Sequence, residues 1–496
     1  MPTPTGLIVI PVCLVALACG LRAQLAVFAM GAVLTSAAVV NLASFGIQPA
    51  YFMGLLLLGG AAVRLLARGR YGVNRAVLVR MAPLLLLLLA SLNALFWGGA
   101  VFWDDVWVVS GRQMFDLSSA ERYSFRPENI NQLVYLVLNI ALAAVLADRL
   151  VRLPAATLLG AAHGAVLAAF WLSTLFVAWD WLAHRFGLYF PDAFLHSNAF
   201  YAAAHAQSFG DVARISGPFS EPSALAYAYA GFLAYLSGLY LAHRTAGALS
   251  MMLAAVAALA LSTSTTAYAV LALWLLAMVL VSPITRPAAG HSRPTGRRRL
   301  AVAALMALAC AGVVGVARTQ QDDIRLVYER SIAGKTETGS YETRTSADRM
   351  GYEAFAATLG LGIGLGSHRP SSLPAAMLSN VGVVGTVAFL AFIVFCLWRS
   401  GSGGVWPGGT RALWALRAFP LGLLVVHCVS SPTLNSPLLW LALTLNLAIS
   451  AYPSATDAAA SEAIAARAAP NRSPRSARSA IREEVRPPAG RLDSGA

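Results

Sequence analysis

Long apolar runs, broken by short arginine-bearing turns and by three longer polar stretches, organise this chain. Windows apolar enough to cross a hydrocarbon layer, which takes about 20 residues as a helix, lie near 6–21, 25–46, 49–66, 80–99, 131–148, 155–178, 222–242, 247–263, 265–283, 300–317, 376–398, 413–431 and 435–452. The pattern predicts an all-α, polytopic integral membrane protein of about 12–13 transmembrane helices. The opening "MPTPTGLIVIPVCLVALACG" has no basic region ahead of its apolar run. It is therefore expected to form the first span and not a cleaved leader.

Counting spans sorts the turns by side. "RLLARGRYGVNR", "ADRLVR", "HSRPTGRRR" and "RSGSGGVWPGGTR" all fall on one side, which the excess of arginine assigns to the cytoplasm. The tail from Pro453, rich in Ala, Pro, Ser and Arg, falls there too and is expected to be disordered. Two parts follow, a transmembrane domain over 1–452 and a tail over 453–496. The opposite side receives loops of about 100–130, 179–221 and 318–375, the last lying between the tenth and eleventh spans. In it "DDIRLVYERSI" and "SADRMGYEAFAATLG" read as short amphipathic helices, and Arg349 is spaced to pair with Glu353 one turn on.

Composition agrees. The chain is 58% hydrophobic and 12% charged, against about 25% charged in soluble domains. A net charge of +14 raises the question of nucleic acid. The basic residues, however, are spread over turns and tail and form no single patch, so no nucleic-acid partner is expected. The five cysteines all lie in apolar runs without metal-ligand spacing and are expected to be buried. His163 and His427 are expected to be polar residues facing other helices, and Trp103 and Trp107 to be interfacial anchors or a platform for a sugar.

The polar chemistry concentrates where external loops re-enter the apolar phase. In "RISGPFSEPSALAYAYAGFLAYLSGLYL", Arg214 precedes a helix start with Ser220 as N-cap and Pro222 in the first turn. A helix N-terminus beside an arginine attracts anions, phosphate above all. Arg126 and Pro127 repeat the construction before the fifth span, and Arg369 and Pro370 before the eleventh, with Ser371 or Ser372 as cap. Interfacial arginines that merely snorkel to phospholipid headgroups are the competing explanation, strongest for Arg126. Glu221 either complements the helix dipole or acts as a base. "GIGLG" is no dinucleotide fingerprint, since no βαβ unit surrounds it. Its glycines are expected to allow close backbone packing or a tight turn, and the small residues of "NVGVVG" to allow helix–helix contact.

"RISGPFSEPSALA" resembles the Arg-x-x-Gly-x-Phe-x-(Asn/Glu)-Pro-(Asn/Ser) signature of bacterial O-antigen ligases and Wzy-type polysaccharide polymerases, its Glu-Pro-Ser form lying nearer exopolysaccharide polymerases. "GIGLGSHRPSSLPAAMLSNVGVVG" resembles their second signature, "YETRTSADRMGYEAF" their arginine-bearing external segment, and "RPENINQLVYL" a weaker upstream segment. The resemblance spans roughly 100–400.

It implies a glycosyltransferase in the bacterial inner membrane with a cytoplasmic C-terminus. Such an enzyme moves sugars from an undecaprenyl diphosphate carrier on the outer face, without metal or other cofactor. Arg214, Arg344 and Arg369 would hold the diphosphate, joined by Arg126 from the helix-start pattern. Glu221 or His368 would take the acceptor proton. The setting "SHRPSS" around His368 departs from the ligase pattern and favours a polymerase of lipid-linked repeat units. Lipid-linked oligosaccharide and membrane lipids are the expected partners, with a chain-length regulator and a flippase as further ones. A ligase, which differs only in acceptor, stays open. A transporter or flippase of lipid-linked sugars would need mid-membrane ionisable groups and repeat symmetry, and the sequence shows few of the former and no obvious case of the latter.

Overall fold

A computed structural model describes residues 2–42, 45–69, 72–98, 101–102, 106–109, 120–200, 208–209, 212–281, 339–398, 406–407, 411 and 413–453. The expected tenth span, the loop segment with "DDIRLVYERSI", the "HSRPTGRRR" turn, Trp103 and nearly all of the tail lie outside them. Residues Met1–Tyr452 form one compact unit.

The described residues are all-α apart from three small antiparallel ribbons. The helices are α1 (Pro4–Cys19), α2 (Leu21–Val33), α3 (Pro49–Arg68), α4 (Arg75–Asn93), α5 (Pro127–Val151), α6 (Ala155–Phe186), α7 (Asp192–Leu195), α8 (Pro222–His243), α9 (Ala246–Leu261), α10 (Thr265–Val281), α11 (Gly339–Ala357), α12 (Leu373–Trp398), α13 (Trp414–Ser430) and α14 (Pro437–Ala451). The ribbons pair β1 (Val40–Asn41) with β2 (Gly46–Ile47), β3 (Trp107–Val109) with β4 (Ala120–Arg122), and β5 (Ser208–Phe209) with β6 (Val212–Ala213).

Among the described residues six helices, α3, α4 with its π-helical extension Ala94–Gly98, α5, α6, α8 and α12, are long and apolar enough to cross a membrane. Shorter apolar helices fill in around them. Large apolar side chains such as Leu66, Val63, Leu85 and Val387 are more than half exposed on these long helices. Side chains of this kind on an outward face suit lipid and are costly in water. The helices α8 and α14 run through the middle. In α14 every residue from Pro437 to Ala451 is buried, and α8 packs against α9, α10 and α13.

Three expectations need correction. The window 25–46 is not one span, because α2 stops at Val33. The chain turns at Leu34, and the apolar segment Ala37–Val39 is wholly buried against the start of α1, where Thr3 N donates to Val39 O. Its hydrophobicity serves protein contact and not lipid. Secondly, α6 runs on well past 178, so the second external stretch begins as helix. At 1.5 Å per residue it is about 48 Å long, more than the hydrocarbon core of roughly 30 Å. Finally, Cys19 and Cys428 are exposed, whereas Cys13 and Cys396 are buried as expected.

A candidate anion site at one end of the bundle

Polar bonds divide the bundle into two ends. At one, Asn74 N donates to Asp148 Oδ1 (2.7 Å), Arg152 to Gly72 O (2.6 Å), Arg149 to Gln24 Oε1 (2.8 Å) and Tyr452 OH to Leu153 O (3.1 Å). This end gathers the turns after α1, α3 and α5, as the alternation of spans predicts. At the other, Tyr51 OH donates to Asn435 O (2.8 Å), Asn129 Nδ2 to Leu365 O (2.8 Å), and Thr5 Oγ1 meets Ser197 Oγ (2.6 Å). All six candidate site residues stand on elements of this second end.

The segment from Arg214 to Glu221 crosses the end of α6. Gly217 adopts φ +57°, and a Cβ there would lie 2.7 Å from Val177 Cγ2 and 3.2 Å from the Val177 backbone. Only glycine combines that backbone with that contact. Phe219 is buried, 2% exposed. The buried carboxylate of Asp180 accepts from Ser216 N (2.9 Å) and Gly217 N (2.8 Å). Two landmarks of the signature, Gly217 and Phe219, are thus packing residues, which leaves Arg214 and Glu221 for chemistry. The N-cap of α8 is Glu221 in place of Ser220, since Ala224 N and Leu225 N both donate to Glu221 O while Ser220 is buried one residue ahead. The Glu221 carboxylate accepts a hydrogen bond from Ser223 Oγ.

Arg214 is half-buried. Burial is the largest influence on its guanidinium and lowers its pKa. Glu221 and Tyr268 oppose that shift, and the neighbouring positive charge of Arg344 adds to it. Glu221, Tyr268 and Arg344, from three parts of the chain, therefore lie within electrostatic reach of Arg214. The Nε atoms of both arginines are shut off from solvent. An arginine keeps its charge despite such a shift, because its ordinary value is above 12. Among the described residues this places two cations and one carboxylate beside the positive end of α8.

Arg344 arrives on α11, an amphipathic helix with Ala347 and Ala354 turned inward and an exposed Arg349–Glu353 pair at 2.8 Å, as the spacing predicts. One turn beyond Arg344, the Asp348 carboxylate accepts from Ser371 N (2.5 Å) and Ser372 N (3.1 Å). The start of α12, expected to receive a substrate anion, is therefore already supplied with a negative group by the protein itself. Arg369 is exposed there, its N–H donating to Val109 O (3.1 Å). Arg126 forms an ion pair with Glu121 at 2.5 Å and donates to Ser124 Oγ.

His368 is buried. Its Nδ1 accepts from Val109 N (3.2 Å) and its Nε2 lies 2.8 Å from Ala347 O, so the Nε2-protonated tautomer satisfies both nitrogens with backbone. That geometry ties α11 to β3 and leaves no ring nitrogen for a substrate hydroxyl. Burial pushes its pKa below the ordinary 6.5, against smaller opposing effects of the Ala347 bond and Asp348. The unfolded chain takes up this proton near pH 6.5, the folded ring only at lower pH. Its contribution to stability is thus whole above that value and is lost as the pH falls through the folded value. The melting temperature of the wild type should drop more between pH 7.5 and pH 5 than that of His368→Gln. Equal drops would mean the ring carries no such linkage.

Sequence reading missed Asp180, Asp348 and Tyr268. No spacing pattern sets any of the three apart from its neighbours as a site residue. His163 and His427 do face other helices, bonded to Tyr235 OH (2.7 Å) and Tyr227 OH (2.8 Å). The guanidinium of Arg122 lies over the Trp107 ring at 5.9 Å, covering one face of that side chain. Among the described residues no group of three or more His, Cys, Asp or Glu is placed to hold a metal ion. No protein-family model, no curated protein and no solved structure matches the chain. Fold and composition define a class only, a helical protein with six membrane-length apolar helices plus shorter ones, for which a multi-pass membrane location is plausible.

Proposed function

We propose that this chain is a membrane glycosyltransferase that polymerises undecaprenyl-diphosphate-linked oligosaccharide repeats on the outer face of the bacterial inner membrane. The observation that carries the reading is the convergence of Arg214, Arg344 and Glu221 at the start of α8, the most enclosed of the six long helices. A diphosphate at a membrane boundary needs fixed positive charge in a medium of reduced dielectric, and two half-buried guanidiniums provide it.

In this mechanism the acceptor hydroxyl oxygen attacks the anomeric carbon of the lipid-linked donor, and the bond from that carbon to the diphosphate oxygen breaks. The electron pair leaves on the diphosphate, where Arg214 and Arg344 stabilise it by preorganised charge. The acceptor proton passes to the Glu221 carboxylate, which Ser223 orients. Glu221 is preferred over His368 because both nitrogens of the latter are spoken for. Arg369, exposed at the rim, and Arg126, paired with Glu121, are assigned to the passage of the headgroup and not to the reacting bond.

The test is incubation of the purified protein with an undecaprenyl-diphosphate oligosaccharide alone. Longer lipid-linked products are expected. If the products appear only when a different acceptor is supplied, the enzyme is a ligase. Sidedness has its own check. An impermeant thiol reagent applied from outside should label cysteines placed at 189 and 352 and spare one placed at 72. The reverse pattern would place the cluster on the cytoplasmic side and end the proposal.

A further inference from the structure

We infer that Asp180 is a positioning residue for the anion site, holding the segment that carries Arg214 in register with α8. This rests on the function proposed above and deepens it. Asp180 belongs to the last turns of α6, is 3% exposed, and touches no proposed reactant. Its Oδ2 takes two successive amide hydrogens, those of Ser216 and Gly217. Its Oδ1 faces His184 Nδ1 at 2.9 Å. Two adjacent N–H groups converging on one oxygen form a nest for an anion, here filled by an internal carboxylate. The nest lies between the two residues that matter. Arg214 is two residues before its first amide, and Glu221 four residues after its second.

Other contacts pin the same segment to α6 and α7 but do not replace this one. Gly217 rests on Val177, and His196 Nε2 lies 3.3 Å from Phe219 O. Both act downstream of Ser216. Among the described residues the Asp180 carboxylate is the side chain that fixes the backbone directly after Arg214 and Ile215. Beside it opens a cleft of about 320 Å³, lined by Asp180, His184, Phe190, Asp192 and Ser216 among others. If the carboxylate is removed, water from that cleft reaches the two amides, so the fold is kept while the segment loosens.

Asp180→Ala and Asp180→Asn separate the roles. An asparagine oxygen still accepts from both amides; alanine cannot. In hydrogen exchange of the full-length protein in detergent, peptides covering 214–219 should exchange at least about 10-fold faster in D180A and near the wild-type rate in D180N. KM for the lipid-linked donor should rise at least about 10-fold in D180A, with D180N restoring most of it. Wild-type exchange in D180A overturns the inference, as does faster exchange with unchanged donor KM. A wild-type protein that elongates no donor defeats the proposed function instead, and the exchange data still decide whether Asp180 holds the segment. Should D180A fail to accumulate as a monodisperse protein, Asp180→Ser carries the same test, since its short side chain cannot span to both amides.

Discussion

Arg214→Ala is expected to lower chain elongation by about 100- to 1000-fold, the usual loss when one preorganised donor to a developing anion is removed. Arg344→Ala should behave alike. The reasoning starts from the cluster itself. Burial disfavours the charge on Arg214 most, Glu221 and Tyr268 favour it, and Arg344 disfavours it to a smaller extent. A protein that keeps two such charges together gives up stability to do so, and the natural compensation is an anion brought by the substrate. Two consequences separate this from a structural role. The melting temperature of Arg214→Ala should stay close to that of the wild type, because relief of the buried charge and of the Arg344 repulsion offsets the lost attraction to Glu221. Added undecaprenyl diphosphate should stabilise the wild type and not the variant, by ligand linkage. Arg214→Lys should recover only part of the activity, since an ammonium cannot make the forked contact of a guanidinium with phosphate. Measured at matched expression, full activity in both alanine variants would remove the cluster from catalysis.

Helix starts were the most legible part of this chain. "Arg-Pro" and "Glu-Pro" ahead of apolar runs mark α5 and α8 because proline suits a first turn and arginine suits an interface, and both effects are local. The pairing of Arg349 with Glu353 was legible for the same reason. What could not be read is tertiary. Arg344 comes within electrostatic reach of Arg214, which lies well before it in the chain, only through the tertiary fold. Asp180 and Asp348 satisfy backbone amides far away in the chain, at Ser216–Gly217 and Ser371–Ser372. A lone aspartate in a helix carries no mark of which distant amide it will accept from. The segment at 34–47 shows the opposite failure. Lipid and protein interior both select apolar residues, so hydropathy alone could not tell a span from the short stretch Ala37–Val39 buried against the start of α1.

The glycines of "GIGLG" and "NVGVVG" produce the second large effect, on folding and not on chemistry. Within α12 the helix breaks at Gly382, φ +69°, and the loop after α11 enters the break. Ile363 N donates to Ser379 O and Gly364 N to Asn380 O, both at 2.9 Å, while Val383 N donates back to Gly360 O at 2.9 Å. The carbonyls of 379 and 380 are thereby given to the loop and not to the helix's own next turn. This close backbone packing is what the "GIGLG" glycines were expected to allow. Gly382 of "NVGVVG" departs from expectation, for it serves the loop, whereas Gly385 does face Ala90 of α4.

A methyl group at Gly382 would stand 2.3 Å from Gly360 O and 2.5 Å from Leu361 O, against backbone that cannot yield as a side chain can. Its backbone, φ +69° with ψ −170°, is essentially confined to glycine and adds about 1–3 kcal/mol for an L-residue, and overpacking about 1–3 kcal/mol more. Gly382→Ala should therefore cost roughly 3 kcal/mol in all, a large share of the about 5–15 kcal/mol that holds a typical fold, and should lower the melting temperature by several degrees. Gly160→Ala on α6, where an added Cβ meets nothing within 4 Å, is the matched control and should be neutral or slightly stabilising. Size-exclusion profiles and melting curves of the two variants in one detergent decide the matter. The loop that enters the break carries His368 and Arg369, so a surviving fraction of Gly382→Ala should also show faster hydrogen exchange across 360–370. A G382A variant as monodisperse and as heat-stable as G160A would show that the break in α12 is not held by this contact.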